Sequence, residues 1–475
     1  MLRSSQGRLF YFGKMDNIEQ LYLQHPLIST DTRKISAGSL FFALKGENFD
    51  ANTFAQQAIE AGAAHAIIDN PAYKINEKYI LVDDVLTALQ DLARFHRRQL
   101  TIPVIGLTGT NGKTTTKELI NSVLSQQYKT LATQGNLNNH IGVPLTILKI
   151  DKSHEVAVIE MGANHQKEIE FLCGISQPTH GLITNVGKAH LEGFGGVEGV
   201  KKGKGELYDY LKKSESRKVG KLESAGTGIA FINDDNAVLL EMANTRDLKN
   251  VVFYGTGAKE NLITGKIIDN TPLLTIGWVN NKTGKSHTIK TQLTGAYNLD
   301  NILAAICTGV YFDLTDAEIN NGIESYQPQN NRSQIVQTET NTLICDYYNA
   351  NPSSMLVAIE NMGDIKAKHK VLILGDMFEL GDEAAAEHKA IIKKAMDTPV
   401  DERIFIGTAF YNVFLSVDKG PWTIDNGPWT TDKKTTIYPT AEDAIKALKT
   451  NPIKNSTILI KGSRGMALER LVELF

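Results

Sequence analysis

The segment Val104–Thr116, VIGLTGTNGKTTT, constrains this chain more than any other. An apolar strand-like run leads into a glycine-bearing turn, and the turn leads into KTTTKELINSVLSQ, which has helical spacing. Strand, glycine loop and helix in that order make a cradle for phosphate. Gly109 and Gly112 let backbone N–H groups approach phosphate oxygens, Lys113 adds a point charge, and the helix N-terminus supplies its dipole. Thr110, Asn111 and Thr115 complete the expected nucleotide contacts, and the Thr114 hydroxyl is expected to face a magnesium ion. The strict phosphate-loop spacing would put glycine where Leu107 stands, so this loop is a variant. A glycine turn without a ligand is the bland alternative, and the strand–loop–helix context argues against it.

At 475 residues the chain exceeds one ordinary core; at about 150 residues per domain it should hold about three. From Ile28 to about Asp83, short apolar runs (SLFFAL, AHAII, YILV) alternate with the helical stretch AQQAIEAGA, which predicts a small α/β unit. The helix-like LTALQDLARFHRRQ then runs up to Pro103, and a boundary near residue 100 follows. VAVIEMG and HGLITNVG continue the alternation as in a parallel sheet with crossovers, through LLTIGWV and NLDNILAAICTGV to about Gln327. After PQNNRSQ a third alternation contains TLICDYYNA, KVLILGDM, RIFIGTAF and STILIKGS. The expected fold is therefore α/β in three domains. These are a small N-terminal domain over 1–100, a central mononucleotide-binding parallel sheet over 101–327, and a Rossmann-like domain over 328–475. The near repeat GPWTIDN and GPWTTDK at 420–433 reads as a surface hairpin or loop insertion. Residues 1–14 precede a second methionine, Met15, whose MDNIEQLYLQ opens a cleaner amphipathic start, so they read as an extension.

Apolar residues at 42% and charged residues at 22% describe a globular chain with ample surface to bury. A formal net charge of -3 gives no global field for nucleic acid or anionic lipid, so a phosphate-bearing partner must be held locally. No stretch approaches the roughly 20 apolar residues that span a bilayer. Membrane insertion is not expected, and the expected location is the cytoplasm. Cys173, Cys307 and Cys345 lack metal-ligand spacing and read as buried thiols in a reducing compartment.

Beyond the loop, VAVIEMGAN brings Glu160 and Asn164 to a strand end, where open α/β sheets bind ligands. Alone, Glu160 could equally be a surface charge. Beside a phosphate loop it becomes a hard-oxygen ligand for Mg2+. ITNVGKAHLEGFGG brings Asn185 and His190 to the same edge, although a lone histidine is more often structural. GVKKGKGELYDYL holds Lys201, Lys202 and Lys204, whose ordinary reading is a solvated basic face.

Taken in order, GTNGKTT, EMGAN, NVGKAHLEGFG and KGELY resemble the Mur ligases, the ATP-dependent amide-forming enzymes of peptidoglycan synthesis. The resemblance runs from about Ile28 onward. It implies ATP and Mg2+ at two sites, with Lys113 catalytic and Thr114, Glu160, His190 and Lys204 as metal ligands. Lys204, four residues before the aromatic Tyr208, would be carbamylated, turning an amine into a carboxylate ligand. STDTRKISAGSLFFALKGENFDANTF is similar to the family's UDP-sugar domain, with Thr30, Thr32, Lys45 and Asn48 toward the uridine diphosphate.

QLTGAYNLDNILAA is similar to the family's adenine-side segment, which implies nucleotide roles for Asn298 and Asn301; Tyr297 departs from the histidine common there. Arg332, Asp346 and Asn349 would reach the nucleotide from the C-terminal domain, or form an interdomain hydrogen-bond network. Asn136, Asn138 and Asn139 of GNLNNHIGVP would face the muramoyl peptide, and Lys461 to Arg464 of ILIKGSRG the second substrate. CDYYNANPSSM and LGDMFELGDEAAAEH resemble the branch that adds a dipeptide. The implied partners are UDP-N-acetylmuramoyl-tripeptide and D-alanyl-D-alanine, acted on by a monomer that closes at hinges near residues 100 and 327. Three alternatives stay open: a third-residue-adding ligase of the same family, a folylpolyglutamate synthase, and a non-catalytic ATP-binding partner in wall assembly.

Overall fold

The computed structural model describes residues 17–215, 228–257, 260–329, 331–416, 422–423, 429–431 and 434–475. The extension at 1–14 lies outside the described residues, as does most of the GPWT repeat. Of that repeat, Trp422–Thr423 and Trp429–Thr431 pair antiparallel at a sheet edge, as a hairpin does.

Each apolar alternation forms its own sheet. In the first, Ile28–Ser29, Leu40–Phe42, His65–Ile68 and Tyr79–Leu81 run parallel in that order. The central sheet has nine strands. Thr130–Ala132, Val156–Glu160, Val104–Thr108, His180–Ile183, Ile229–Asn233, Val251–Gly255 and Ile263–Asn270 follow one another in parallel pairing. Val104–Thr108 and Val156–Glu160 are buried throughout, as strands covered on both faces by helices must be. Leu274–Asn280 and Lys285–Lys290 extend this sheet antiparallel. Their side chains alternate, with Ile276 and Trp278 inward, so only one face needs cover.

The third sheet has five parallel strands at its centre, with antiparallel strands at both edges. Thr342–Asp346 and Thr457–Lys461 are neighbours in it, and their register sets Asp346 beside Lys461 at the strand ends.

The packing corrects one expectation about motion. Ile18, Tyr22, Leu89 and Leu92 lie in the same continuous core as Val143, Ile147 and Ile175. Polar bonds reinforce that junction. Tyr22 donates to the Leu148 carbonyl at 3.1 Å, Gln90 to the His140 carbonyl at 3.0 Å, and Arg97 to the Ser176 and Gln177 carbonyls at 2.8 and 2.9 Å. A joint filled by core cannot open without exposing it to water, so the hinge expected near residue 100 is not a free joint. The C-terminal sheet has its own two cores, separate from those of the other two sheets.

Candidate active site

The strand order decides what meets at the central sheet's edge. Val104–Thr108 lies between His180–Ile183 and Val156–Glu160, so the glycine loop, Thr184–Asn185 and Glu160 emerge side by side at the carboxyl ends of parallel strands. Gly109 has φ 146° and Gly112 φ 76°, which other residues rarely adopt. Each is also crowded: a Cβ would lie 2.0 Å from Thr184 Oγ1 at Gly109 and 2.5 Å from Asn301 Oδ1 at Gly112. The loop is braced from the next strand. Asn111 N donates to Asn185 Oδ1 at 3.0 Å, Thr184 Oγ1 donates to the Asn111 carbonyl at 2.6 Å, and Gly187 N donates to Thr110 Oγ1 at 2.9 Å. Lys113 Nζ is held over the loop by the carbonyls of Gly109 and Thr110, at 2.8 and 3.0 Å. Burial pushes its pKa down to about 8, against the opposing pull of Glu160.

Glu160 is 1% exposed. Its Oε1 accepts from Asn138 Nδ2 at 2.8 Å and from Thr114 Oγ1 at 3.3 Å. Its Oε2 is buried without a hydrogen-bond partner, and Lys117 Nζ lies 4.0 Å away. An oxygen left unsatisfied in a buried carboxylate is costly, and a hard cation beside Thr114 would satisfy it. Among the described residues no three His, Cys, Asp or Glu side chains converge as a metal group. Thr114 and Glu160 instead fit the magnesium pattern of one or two carboxylates completed by substrate phosphates.

Lys204 is 2% exposed on the helix Val197–Glu215. Its Nζ donates to the Ala163 carbonyl at 3.1 Å and lies 5.0 Å from the centre of the Phe194 ring. Burial, then repulsion from Lys113, holds its pKa well below the ordinary lysine value, favouring the neutral amine. His190 sits in the left-handed region at φ 50°, with its own pKa lowered by burial, and its Nδ1 pairs with Glu379 of the C-terminal sheet region.

The C-terminal domain faces this edge across a cleft of about 1070 Å³. Asn351 Nδ2 donates to Asn111 Oδ1 at 2.8 Å, Lys188 N donates to Ser353 Oγ at 2.9 Å, and Lys188 Nζ pairs with Glu387 at 2.6 Å. Arg332 stacks on the Tyr348 ring at 3.8 Å, and its Nε is buried without a partner. Asp346 accepts from Lys461 Nζ at 2.6 Å and from Ser333 N at 3.2 Å, and Tyr297 Oη meets Ser333 Oγ at 2.5 Å.

Most residues singled out from sequence meet in this cleft, including the loop from Thr110 to Thr115, Asn136, Asn138, Asn139, Glu160 and His190. From the C-terminal domain come Arg332, Asp346, Asn349 and Lys461. Asn298 and Asn301 stand at its back, spent on bonds to each other, to Thr294 and to Thr116. Lys204 lies behind the wall, reaching it through Ala163. Arg464 lines a smaller adjoining cavity. Thr30, Thr32, Lys45 and Asn48 line neither; Lys45 instead pairs with Asp69 at 2.7 Å in the N-terminal domain. Sequence reading missed Lys188, Tyr348, Asn351 and Glu379. All four lie inside motifs quoted above without being singled out, and Asn351 also opens the helix-start pattern Asn351-Pro352-Ser353-Ser354.

Known proteins resemble this chain in all three of its domains. The Mur ligase family catalytic domain matches residues 26–97, the Mur ligase middle domain 107–309, and the Mur ligase glutamate ligase domain 331–464. The UDP-N-acetylmuramoyl-tripeptide--D-alanyl-D-alanine ligase of Bacillus subtilis (strain 168) is 34% identical over 451 residues, covering 94% of this chain and 92% of its own. A crystal structure of MurF from Acinetobacter baumannii superposes with TM-score 0.79 at 30% identity, over 94% of this chain and 92% of that one. MurF ligase from Thermotoga maritima in complex with ADP superposes with TM-score 0.78 at 25% identity, over 95% and 97%. The three family domains follow one another along nearly the whole length, and the chain belongs to the Mur ligase family.

Proposed function

We propose that this chain is an ATP-dependent amide ligase that joins D-alanyl-D-alanine to the terminal carboxylate of UDP-N-acetylmuramoyl-tripeptide, releasing ADP and phosphate. One observation carries the reading: the glycine loop, the Thr114–Glu160 pair and the basic residues Arg332 and Lys461 converge on one cleft from two domains. The name of the Bacillus subtilis relative supplies the substrate class.

Chemistry follows from what the residues can hold. A tripeptide carboxylate oxygen attacks the γ-phosphorus of ATP, the bond to the β-phosphate oxygen breaks, and ADP leaves behind an acyl phosphate. Lys113 and the loop N–H groups stabilise charge on the transferring group, and positioning supplies most of the rest. The dipeptide nitrogen, having lost a proton, adds to the carbonyl carbon. The tetrahedral adduct expels phosphate and leaves an amide. Thr114 and Glu160 would hold one Mg2+, and His190 with Lys204 a second; bound there, the ions neutralise phosphate charge. Lys204 suits carbamylation because burial lowers its pKa and so favours the neutral amine, which can bond the carbon of CO2 and lose a proton.

Asn136, Asn138 and Asn139 face the muramoyl peptide. Thr30, Thr32, Lys45 and Asn48 take the uridine diphosphate on the N-terminal domain, and Lys461 and Arg464 serve the dipeptide. Asn298, Asn301, Arg332, Asp346 and Asn349 shape the nucleotide side. We divide the chain into domains 1–100, 101–327 and 328–475. It acts as a monomer, because its own domains complete the cleft, and in the cytoplasm, where ATP and nucleotide-linked precursors meet. Among the described residues no helix is long and apolar enough to cross a membrane.

The test is direct. Purified protein with ATP, Mg2+, the UDP-muramoyl tripeptide and D-alanyl-D-alanine should add one dipeptide mass, with phosphate release dependent on both substrates. Phosphate release without mass gain would overturn the reading, and addition of a single amino acid to the dipeptide precursor would point to the third-residue ligase.

A further inference from the structure

The helix Lys113–Leu124 carries a second lysine, Lys117, that the chemistry above leaves unused, and it is only 2% exposed. It stands three residues after Thr114, which puts both on one face of the helix. That face looks at Glu160. Thr114 Oγ1 reaches one oxygen of the acid, Oε1, at 3.3 Å, and Lys117 Nζ lies 4.0 Å from the other. Thr114 and Glu160 line the cleft whereas Lys117 does not, so its ammonium approaches the carboxylate from outside the cleft.

A buried ammonium needs close partners, yet neither neighbouring acid holds this one tightly. The contact with Glu160 and the 3.6 Å contact with Glu118 Oε1 are both longer than a hydrogen bond. Glu118 is itself anchored: Tyr326 donates to its Oε2 at 2.8 Å, which leaves Oε1 toward Lys117. The ammonium is therefore shared between an acid that serves the cleft and one that does not, and its flexible stem lets it shift between them. Two cations on one buried carboxylate repel each other, and the low dielectric of the interior strengthens that repulsion. With no metal present Lys117 offsets the charge of Glu160; with a metal on Thr114 and Glu160 it opposes the metal.

We propose that Lys117 is a positioning residue that sets the cation affinity of Glu160, an internal counter-cation that leans on the empty carboxylate and gives way toward Glu118 when a divalent cation binds. Affinity is thereby kept low enough for the cation to leave with the spent nucleotide. This inference rests on the magnesium placement above and adds the residue that tunes it.

Mn2+ binding to the full chain at saturating ADP would be followed by electron paramagnetic resonance for wild type, Lys117→Met, Lys117→Arg and Glu118→Gln, with thermal melting recorded with and without Mn2+. Lys117→Met should bind Mn2+ about tenfold more tightly. It should also melt below wild type without Mn2+ and gain more on its addition. Lys117→Arg, which keeps the charge, should stay near the wild-type affinity. Glu118→Gln keeps an acceptor for Tyr326 but leaves the ammonium to Glu160 alone, so Mn2+ binding should weaken by about threefold. A merely structural lysine would lower melting equally with and without Mn2+ and leave affinity unmoved, which would overturn the proposal. Should Lys117→Met fail to fold, Glu118→Gln decides: unchanged or tighter Mn2+ binding there overturns it as well. A wild-type signal no different from that of Mn2+ and ADP without protein would sink the magnesium placement itself, a separate result.

Discussion

Asn351 donates its side-chain amide to the side-chain carbonyl of Asn111, 2.8 Å away across the cleft and 240 residues away in sequence. The same residue caps the helix Pro352–Asp364, its Oδ1 accepting from Ser354 N at 2.9 Å. One side chain therefore fixes the start of a C-terminal helix and ties that start to the phosphate loop. The glycine loop and the C-terminal domain are thus joined through one side chain.

The two duties can be separated by substitution. Serine caps a helix nearly as well as asparagine but is too short to reach Asn111. Asn351→Ser should keep the melting temperature and lower kcat by about fivefold, the worth of a net hydrogen bond of about 1 kcal/mol. Asn351→Ala should lower kcat similarly and also lose about 1 kcal/mol of stability with the cap. Full activity in the serine variant would show that the bridge carries no catalytic weight.

Glu160→Gln should separate stability from catalysis. The buried Oε2 has no hydrogen bond and only a distant Lys117 to offset its charge, a burden to the fold, and glutamine removes the charge while keeping the shape. The variant should melt at or above the wild-type temperature. Its turnover should fall by more than about a hundredfold, because cation stabilisation of phosphoryl transfer is worth several kcal/mol. A destabilised variant with normal turnover would reverse the assignment.

Lys204 makes a chemical prediction. With its pKa lowered by burial and by Lys113, it should take up CO2, so protein prepared free of CO2 should be slow and regain its rate with bicarbonate. Labelled bicarbonate should add one carbamate carbon resonance, absent from Lys204→Arg, whose guanidinium stays charged. No added resonance in active wild-type protein would end the carbamate proposal.

Local chemistry explains what the sequence disclosed. Gly109, Gly112, Lys113 and Glu160 belong to short strand-to-loop patterns whose physics is complete within a dozen residues. Asn298 and Asn301 were legible as part of the same site, but not that their amides are spent on each other and on Thr116. Glu379, Lys188 and Asn351 act through partners 165 to 240 residues away, which no spacing rule exposes. The antiparallel strands Leu274–Asn280 and Lys285–Lys290 were hidden for another reason: LLTIGWV alone reads as strand without naming its neighbour's direction. The absence of a hinge near residue 100 depends on a core drawn from both sides of the boundary, so it too is a tertiary fact.

His180 gives a pH dependence. It lies among Phe231, Tyr311 and Phe312, and burial lowers its pKa from 6.5 to about 4. Between those values the unfolded chain binds the proton and the folded chain does not, so stability rises with pH across that window and is lost as pH falls through it. The full loss is about 3 kcal/mol. His180→Phe should flatten the difference in stability between pH 7 and pH 4 by that order, measured by denaturant unfolding. An unchanged difference would mean that His180 is not neutral in the fold.

Motion should be confined to one joint. The N-terminal and central domains share a core, whereas the C-terminal domain meets them through polar bonds such as Asn111–Asn351 and Lys188–Glu387. Part-buried polar groups that separate can bond to water instead, whereas an apolar core that opens loses its burial. The three native cysteines are buried, so single labels can be placed at the exposed positions Gln57, Lys152 and Lys389 after substitution by cysteine. The distance between labels at 152 and 389 should be broadly distributed without substrates and narrow and shift by more than about 2 Å with ATP and tripeptide. The distance between 57 and 152 should stay single and fixed in both conditions. Movement of that second pair would mean that the shared core opens during the cycle, contrary to its packing.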